Sequence, residues 1–369
     1  MSRLFLSHLS LSHFRSHQHS VLTCDERPVA LFGPNGAGKT NVLEAVSILS
    51  PGRGLRGASA QDMTRRPAAL GWKITSLIHA GAYPQEVTLK SENGAARQLR
   101  LDDKATTQLA LGEIARVLWL IPAMDRLWIE GAEGRRRFLD RMTLSFQPTH
   151  ARHALTYEKA MRERNRLLKD QVQDPAWYSA LEAQMAEAGT ALHAGRLATL
   201  EAIAAAQKNA QTAFPAARLT LDADVPAEAE DLRHAFADNR RQDLIAGRTL
   251  IGPHRSDLAA VYQEKDLPAR DCSTGEQKAL LVSLILSNAR ALAARETPAL
   301  LLLDEVAAHL DAGRQAALYD EICALGAQAW MTGTGPDMFA AFGPRAQRFE
   351  VTEEGGASQV KRLADTSPP

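Results

Sequence analysis

At 369 residues and 45% hydrophobic side chains, the chain can hold about two to three domains and a sizeable core. Lys plus Arg and Asp plus Glu each number 43, so the net charge is zero and any nucleic-acid surface has to be local. Three scattered cysteines (Cys24, Cys272, Cys323) without metal spacing exclude a disulfide scaffold and fit a reduced cytoplasmic protein. The N-terminal stretch lacks a basic region followed by an apolar core, so no signal peptide is expected. No apolar run approaches the roughly 20 residues of a membrane span, so no membrane is expected either.

Alternation predicts strands through Leu4, Leu6, Leu9 and Leu11, then Val21 and Leu22, then Val29 to Phe32. Directly after comes Gly33-Pro34-Asn35-Gly36-Ala37-Gly38-Lys39-Thr40, a residue-for-residue match to G-x-x-x-x-G-K-[ST]. A helix follows, with Val42, Leu43, Val46 and Leu49 at helical spacing. Strand, glycine loop and helix in that order suit a polyphosphate: successive N–H groups line a concavity, and the helix N-terminus stands behind it. Lys39 is then expected on the β- and γ-phosphates of a nucleotide, and Thr40 on Mg2+.

Further strands are predicted over 72–79, 86–90, 98–101 and 117–121. Character changes near Pro122, and 124–213 read as helices. Tyr157, Met161 and Leu168 fall on one face of one helix. Trp177, Leu181, Met185, Ala188 and Leu192 fall on one face of the next, which Asp174-Pro175 opens. The two stripes suggest an antiparallel helical hairpin, although helices of an ordinary lobe give the same periodicity. Residues 221–239 are acidic and read as a solvated face. From 249 the chain returns to strands and buried helices, and Asp365 to Pro369 are expected to fray.

Pro298 bounds a run of four leucines that ends in Asp304-Glu305, which reads as a strand buried on both faces with two carboxylates at its C-terminal end. Asp304 is a candidate for the metal and Glu305 for polarising the attacking water; the lesser alternative is that the pair simply caps the next helix. Between the two halves, Ser273-Thr274-Gly275-Glu276 is a capping box, and the same helix N-terminus could hold a γ-phosphate through Ser273 and Gly275.

Residues 33–40, 273–276, 300–305 and His309-Leu310-Asp311 resemble, in order and spacing, the Walker A, signature, Walker B and D-loop elements of ABC-type ATPases. The 234 residues from Lys39 to Ser273 are too many for a transporter ATPase and resemble the SMC-like branch, where a helical insertion divides the head. His13-Phe14-Arg15-Ser16, Asn41-Val42-Leu43-Glu44-Ala45, Arg135-Arg136-Arg137-Phe138-Leu139-Asp140-Arg141, Gly252-Pro253-His254-Arg255 and Gln277-Lys278 are similar to the RecF family over nearly the whole chain.

That resemblance implies an α/β fold: an ABC-type P-loop ATPase head, a mixed sheet with flanking helices, carrying an inserted helical lobe with a short hairpin. Lobe I would comprise 1–121 and 249–369, and lobe II 122–248. It implies ATP and Mg2+ as ligands and a head-to-head homodimer closing two nucleotides between residues 33–40 of one chain and Ser273 and Gly275 of the other. It also implies slow hydrolysis, binding of duplex DNA near single-strand gaps, and work with RecR and RecO in loading recombinase. Two departures stand out. Ala329-Trp330-Met331-Thr332-Gly333-Thr334 lacks the switch histidine, with neither threonine assigned its role. Residues 121–125 lack a Q-loop glutamine.

Residues 131–170 carry ten Lys and Arg against five acids, an excess suited to phosphate contacts, although a solvated helical face reads the same way. Rival readings are a nucleotide-gated scaffold that does not hydrolyse, and a transporter-type ABC subunit.

Overall fold

The computed structural model describes residues 3–67, 71–208 and 210–364; the expected frayed end, 365–369, lies outside the described residues. In chain order the chain forms β1 (Phe5–Phe14), β2 (His17–Thr23), β3 (Val29–Phe32), α1 (Lys39–Ser47), β4 (Gly71–His79), β5 (Pro84–Glu92), β6 (Gln98–Leu101), β7 (Lys104–Thr106), α2 (Leu111–Ile114) and β8 (Val117–Leu120). Helices α3 (Ala132–Phe146), α4 (His150–Lys169) and α5 (Pro175–Lys208) follow, then β9 (Ala217–Asp222), α6 (Ala229–Asp238), α7 (Arg240–Ala246), β10 (Asp257–Tyr262) and β11 (Leu267–Pro268). The chain closes with α8 (Thr274–Ala293), β12 (Leu300–Leu303), α9 (Ala312–Leu325), β13 (Ala329–Gly333), β14 (Gln347–Glu354) and β15 (Ala357–Arg362).

Two compact units result. The first comprises Met1–Asp125, Ala206–Ala216 and Ser273–Pro369, and the second Arg126–Ala205 and Ala217–Cys272. Residues 249–272, expected with the nucleotide-binding lobe, therefore fall in the second unit. The reason is pairing: β10 is hydrogen-bonded to β9 along its whole length and to β11 at its end.

In the first unit, six strands in the order β2-β1-β4-β5-β6-β7 form an antiparallel sheet, and six in the order β15-β14-β3-β13-β12-β8 form a mixed one. Strands β3, β8, β12 and β13 are buried at every residue, as parallel strands covered on both faces must be. The apolar side of β1, through Leu9, Leu11 and Phe14, packs into one core with Val42, Leu43 and Val46 of α1 and Leu31, Leu302 and Trp330 of the mixed sheet. Buried Gln328 ties the sheets together. Its amide accepts from Leu6 N at 2.9 Å and donates to Leu6 O at 3.0 Å and Asp25 O at 2.7 Å.

In the second unit, α4 and α5 form the hairpin that their stripes predict. Tyr157 and Ala160 pack with Met185, Ala188 and Leu192 in one cluster that also takes Leu232 and Phe236 of α6. The α5 stripe begins one residue later than expected. Trp177 is 64% exposed, whereas Tyr178 is buried and donates its hydroxyl to Val172 O at 2.9 Å. The acidic stretch is not a plain solvated face: part of it pairs as β9, and part is α6, whose Leu232 and Phe236 are buried. Among the described residues no helix is long and apolar enough to cross a membrane.

Candidate nucleotide-binding site

The loop between β3 and α1 is curled by glycines in left-handed backbone: Gly36 has φ +84° and Gly38 φ +106°. Gly33, Ala37, Gly38 and Lys39 are buried, while Pro34, Asn35 and Gly36 are exposed at the mouth. The Lys39 ammonium donates to the loop's own carbonyls, Gly33 O at 2.7 Å and Pro34 O at 2.8 Å. Burial pulls Lys39 below the usual lysine range, while Glu305 and Asp304 pull the other way.

The register of the mixed sheet brings the second half in. Leu303 of β12 sits between Leu120 of β8 and Met331 of β13, and the next residue, Asp304, donates its backbone N–H to Leu120 O at 2.9 Å. The Asp304 carboxylate accepts from the Thr40 hydroxyl at 2.9 Å and from the Thr332 hydroxyl at 2.7 Å. Thr332 in turn accepts from the Glu305 backbone N–H at 2.9 Å. Glu305 is held at φ +53°, a strained conformation for a side-chain-bearing residue. Thr332 thus braces both carboxylate residues from behind.

Ser273 stands at the N-cap of α8, in the predicted capping box. Its backbone N–H donates to Glu276 Oε2 at 2.8 Å and its hydroxyl to the same oxygen at 2.7 Å. Ser273, Thr274 and Gly275 are exposed. Lys278, the fifth residue of α8, is buried 3.7 Å from Asp125, within the 121–125 stretch that lacks a Q-loop glutamine. Burial lowers the Lys278 pKa, and Asp125 and Glu305 oppose the shift.

Sequence reasoning missed the loop's backing. His17, buried and kept neutral by burial, donates Nε2–H to Gly38 O at 3.1 Å and accepts from the Ser20 hydroxyl at 2.8 Å. Ser358 of β15 donates to Ala37 O at 2.6 Å and lies 2.6 Å from Ser16 Oγ, to which Asn41 also donates at 2.7 Å. A Cβ at Gly38 would come within 2.3 Å of Ser358 Oγ and 2.6 Å of Ser16 Oγ. Nothing in the spacing of residues 16, 17, 38 and 358 announces this set. Glu44 of α1, fully buried, is likewise held by Arg15 at 2.6 Å and Arg56 at 2.9 Å.

A family model described as RecF/RecN/SMC N terminal domain matches residues 5–356. The chain is 48% identical over 369 residues to the DNA replication and repair protein RecF of Rhizobium rhizogenes, covering 96% of this chain and 98% of that one. It is 45% identical over 364 residues to the protein of the same name from Rhizobium meliloti, covering 95% and 97%.

The chain belongs to the RecF family.

Its fold is the family's. A solved structure titled as the recombination mediator protein RecF-ATP in the RecFOR pathway aligns with TM-score 0.81 at 21% identity, over 98% of this chain and all of that one. An Smc head domain from Pyrococcus furiosus aligns with TM-score 0.58 at 17% identity, over 98% and 96%. The RecF-like α/β head with a mixed sheet and flanking helices is therefore the fold of this chain.

Proposed function

We propose that the chain is an ATP-controlled DNA-binding protein of recombinational gap repair and replication restart. In this reading it is a cytoplasmic ATPase that closes as a homodimer on duplex DNA near single-strand gaps, works with RecR and RecO in loading recombinase, and releases on slow hydrolysis. The carrying observation is an unequal pair. Lys39, Thr40, Asp304 and Glu305 converge around the loop, whereas Ser273 and Gly275, the other phosphate-binding candidates, stand exposed on the N-terminal turn of α8. A second chain would supply that turn.

The site suits Mg2+ by its chemistry. Thr40 and Asp304 offer adjacent hard oxygens, and no group of three His, Cys, Asp or Glu among the described residues could hold a metal alone. Thr40 and Asp304 would hold the ion, which when bound neutralises charge on the β- and γ-phosphate oxygens. The loop 33–38 presents the backbone N–H groups of its residues other than Pro34 to the phosphates, and Lys39 exchanges its two carbonyl partners for phosphate oxygens. Glu305 takes a proton from the water that attacks γ-phosphorus as the bond to the β,γ-bridging oxygen breaks. ADP and phosphate leave, and the turn at Ser273 loses its anion.

Sedimentation with and without ATP tests the reading. The wild type is expected as monomer without ATP and dimer with it, and Ser273→Arg as monomer in both. Glu305→Gln should slow phosphate release by about 10²–10⁴-fold and accumulate as the ATP-bound dimer. If Glu305→Gln leaves DNA as fast as the wild type, hydrolysis is not the release step and the non-hydrolysing scaffold is correct.

A further inference from the structure

The cations of residues 131–170 do not share one fate. Arg135 is committed to Asp257 at 2.7 Å, Arg136 to Ser256 O at 2.8 Å, and Arg164 lies fully buried among Asp243, Glu182 and Thr249. These stabilise the fold and are closed to a ligand. A different set faces outward on α4. Arg152, Lys159, Arg162, Arg166 and Lys169 are all exposed and recur at intervals of 7, 3, 4 and 3 residues. That spacing keeps them on one stripe, opposite Tyr157, Ala160, Arg164 and Leu168 on the buried side. Among the described residues Arg152, Lys159, Arg162 and Lys169 make no ion pair, and Arg166 has only a loose one, 3.9 Å from Asp170. Glu158 and Glu163 flank the stripe without closing on it.

Helix electrostatics explains part of this. Arg166 and Lys169 lie in the last turn, where the macrodipole favours cations. Arg152 lies in the first turn, where a cation is unfavourable, so its place is not set by the stability of the helix. The stripe spans 17 residue steps, about 26 Å at 1.5 Å per residue, which matches about seven to eight base-pair steps at 3.4 Å. Leu155 is its only large apolar member, and no aromatic side chain is present for stacking on bases.

We propose that the outward face of α4 seats the sugar-phosphate backbone of duplex DNA, with Arg152, Lys159, Arg162, Arg166 and Lys169 as the phosphate contacts. This rests on the reading that the chain binds DNA, and assigns that binding to one helix face rather than to the arginine-rich segment at 135–141.

The test is the salt dependence of binding to a 30-base-pair duplex, by fluorescence anisotropy with ATP present, on the full chain. The triple variant Lys159→Ala, Arg162→Ala, Arg166→Ala removes three contacts. The slope of log Kobs against log salt should fall by about 3, with affinity at about 0.1 M salt at least tenfold weaker. The charge-keeping variant Lys159→Arg, Arg162→Lys, Arg166→Lys should keep the wild-type slope, because phosphate contact needs the charge and not the fork. A wild type that ignores the duplex overturns both this proposal and the DNA-binding reading. A wild type that binds, with the alanine variant unchanged in slope and affinity, overturns the α4 assignment alone. Loss of slope in the charge-keeping variant also overturns it, since charge is then not what the face contributes.

Discussion

His254 shows how a single environment sets a pH response. Its Nε2–H donates to Thr249 O, which can only accept, so Nδ1 is the acceptor for the Tyr157 hydroxyl at 2.7 Å. Burial lowers its pKa to about 4, with Arg255 and Arg136 adding to the shift and Thr249 O opposing it. Between pH 6.5 and about 4 the unfolded chain therefore takes up a proton that the folded one refuses. The stability of the second unit is full above pH 6.5 and declines as pH falls toward 4. The loss is on the order of 2 kcal/mol after discounting for partial exposure. Hydrogen exchange of α4 peptides between pH 7 and 4.5, corrected for intrinsic rates, should show this decline, and His254→Gln should flatten it. The same residue marks what sequence can reveal. Pro253–Arg255 form a short helical turn, as a Gly-Pro start favours, but the partners of His254, Tyr157 and Thr249, come from packing. Lys39, Thr40 and Asp304 were legible because their motifs are contiguous. Thr332, His17 and Ser358 act through hydroxyls and a ring that reach the site from distant strands, and such residue types are too common to stand out.

At the scale of elements, two arginines two residues apart on α4 should behave as opposites. Arg164 donates to Asp243 at 2.7 Å, to Thr249 at 2.9 Å and to Glu182 at 3.1 Å, joining α4 to α5 and α7 inside the unit. Arg240 adds a second hold on Glu182 at 2.6 Å. Arg164→Ala leaves buried Asp243 without its arginine and Glu182 with Arg240 alone, and should cost about 3–5 kcal/mol. Arg162→Ala, on the exposed face, should stay within about 0.5 kcal/mol. Urea unfolding followed by α4 exchange separates the two, and equal costs would mean that the buried network is not what holds the helices. The helices themselves were legible from periodicity, yet nothing in the sequence said which arginine turned inward. That depends on Glu182 and Asp243, which only the packed hairpin brings near. β9 was hidden for a related reason: its alternation is short, and acidic neighbours masked a strand whose partner, β10, lies some forty residues on.

For the whole chain, the ATPase-head class was readable from the order of four motifs, but the division into units was not. The composition changes near Pro122, and the compact units part after Asp125. The return was placed at 249, whereas residues 206–216 belong to the first unit and 217–272 to the second. Composition cannot show this, because strands β9 and β10 look alike whichever sheet receives them; hydrogen-bond pairing decides. The backing of the phosphate loop carries a consequence for the far end of the chain. Ser358 of β15 holds Ala37 O, so if that bond favours the loop shape that accepts a nucleotide, nucleotide must favour the bond to the same degree. The last strand then becomes a reporter of the first motif. Amide exchange across residues 357–362 should slow when ATP is added, and Ser358→Ala should weaken ATP binding and abolish that slowing together. Protection of β15 that survives Ser358→Ala would sever the link.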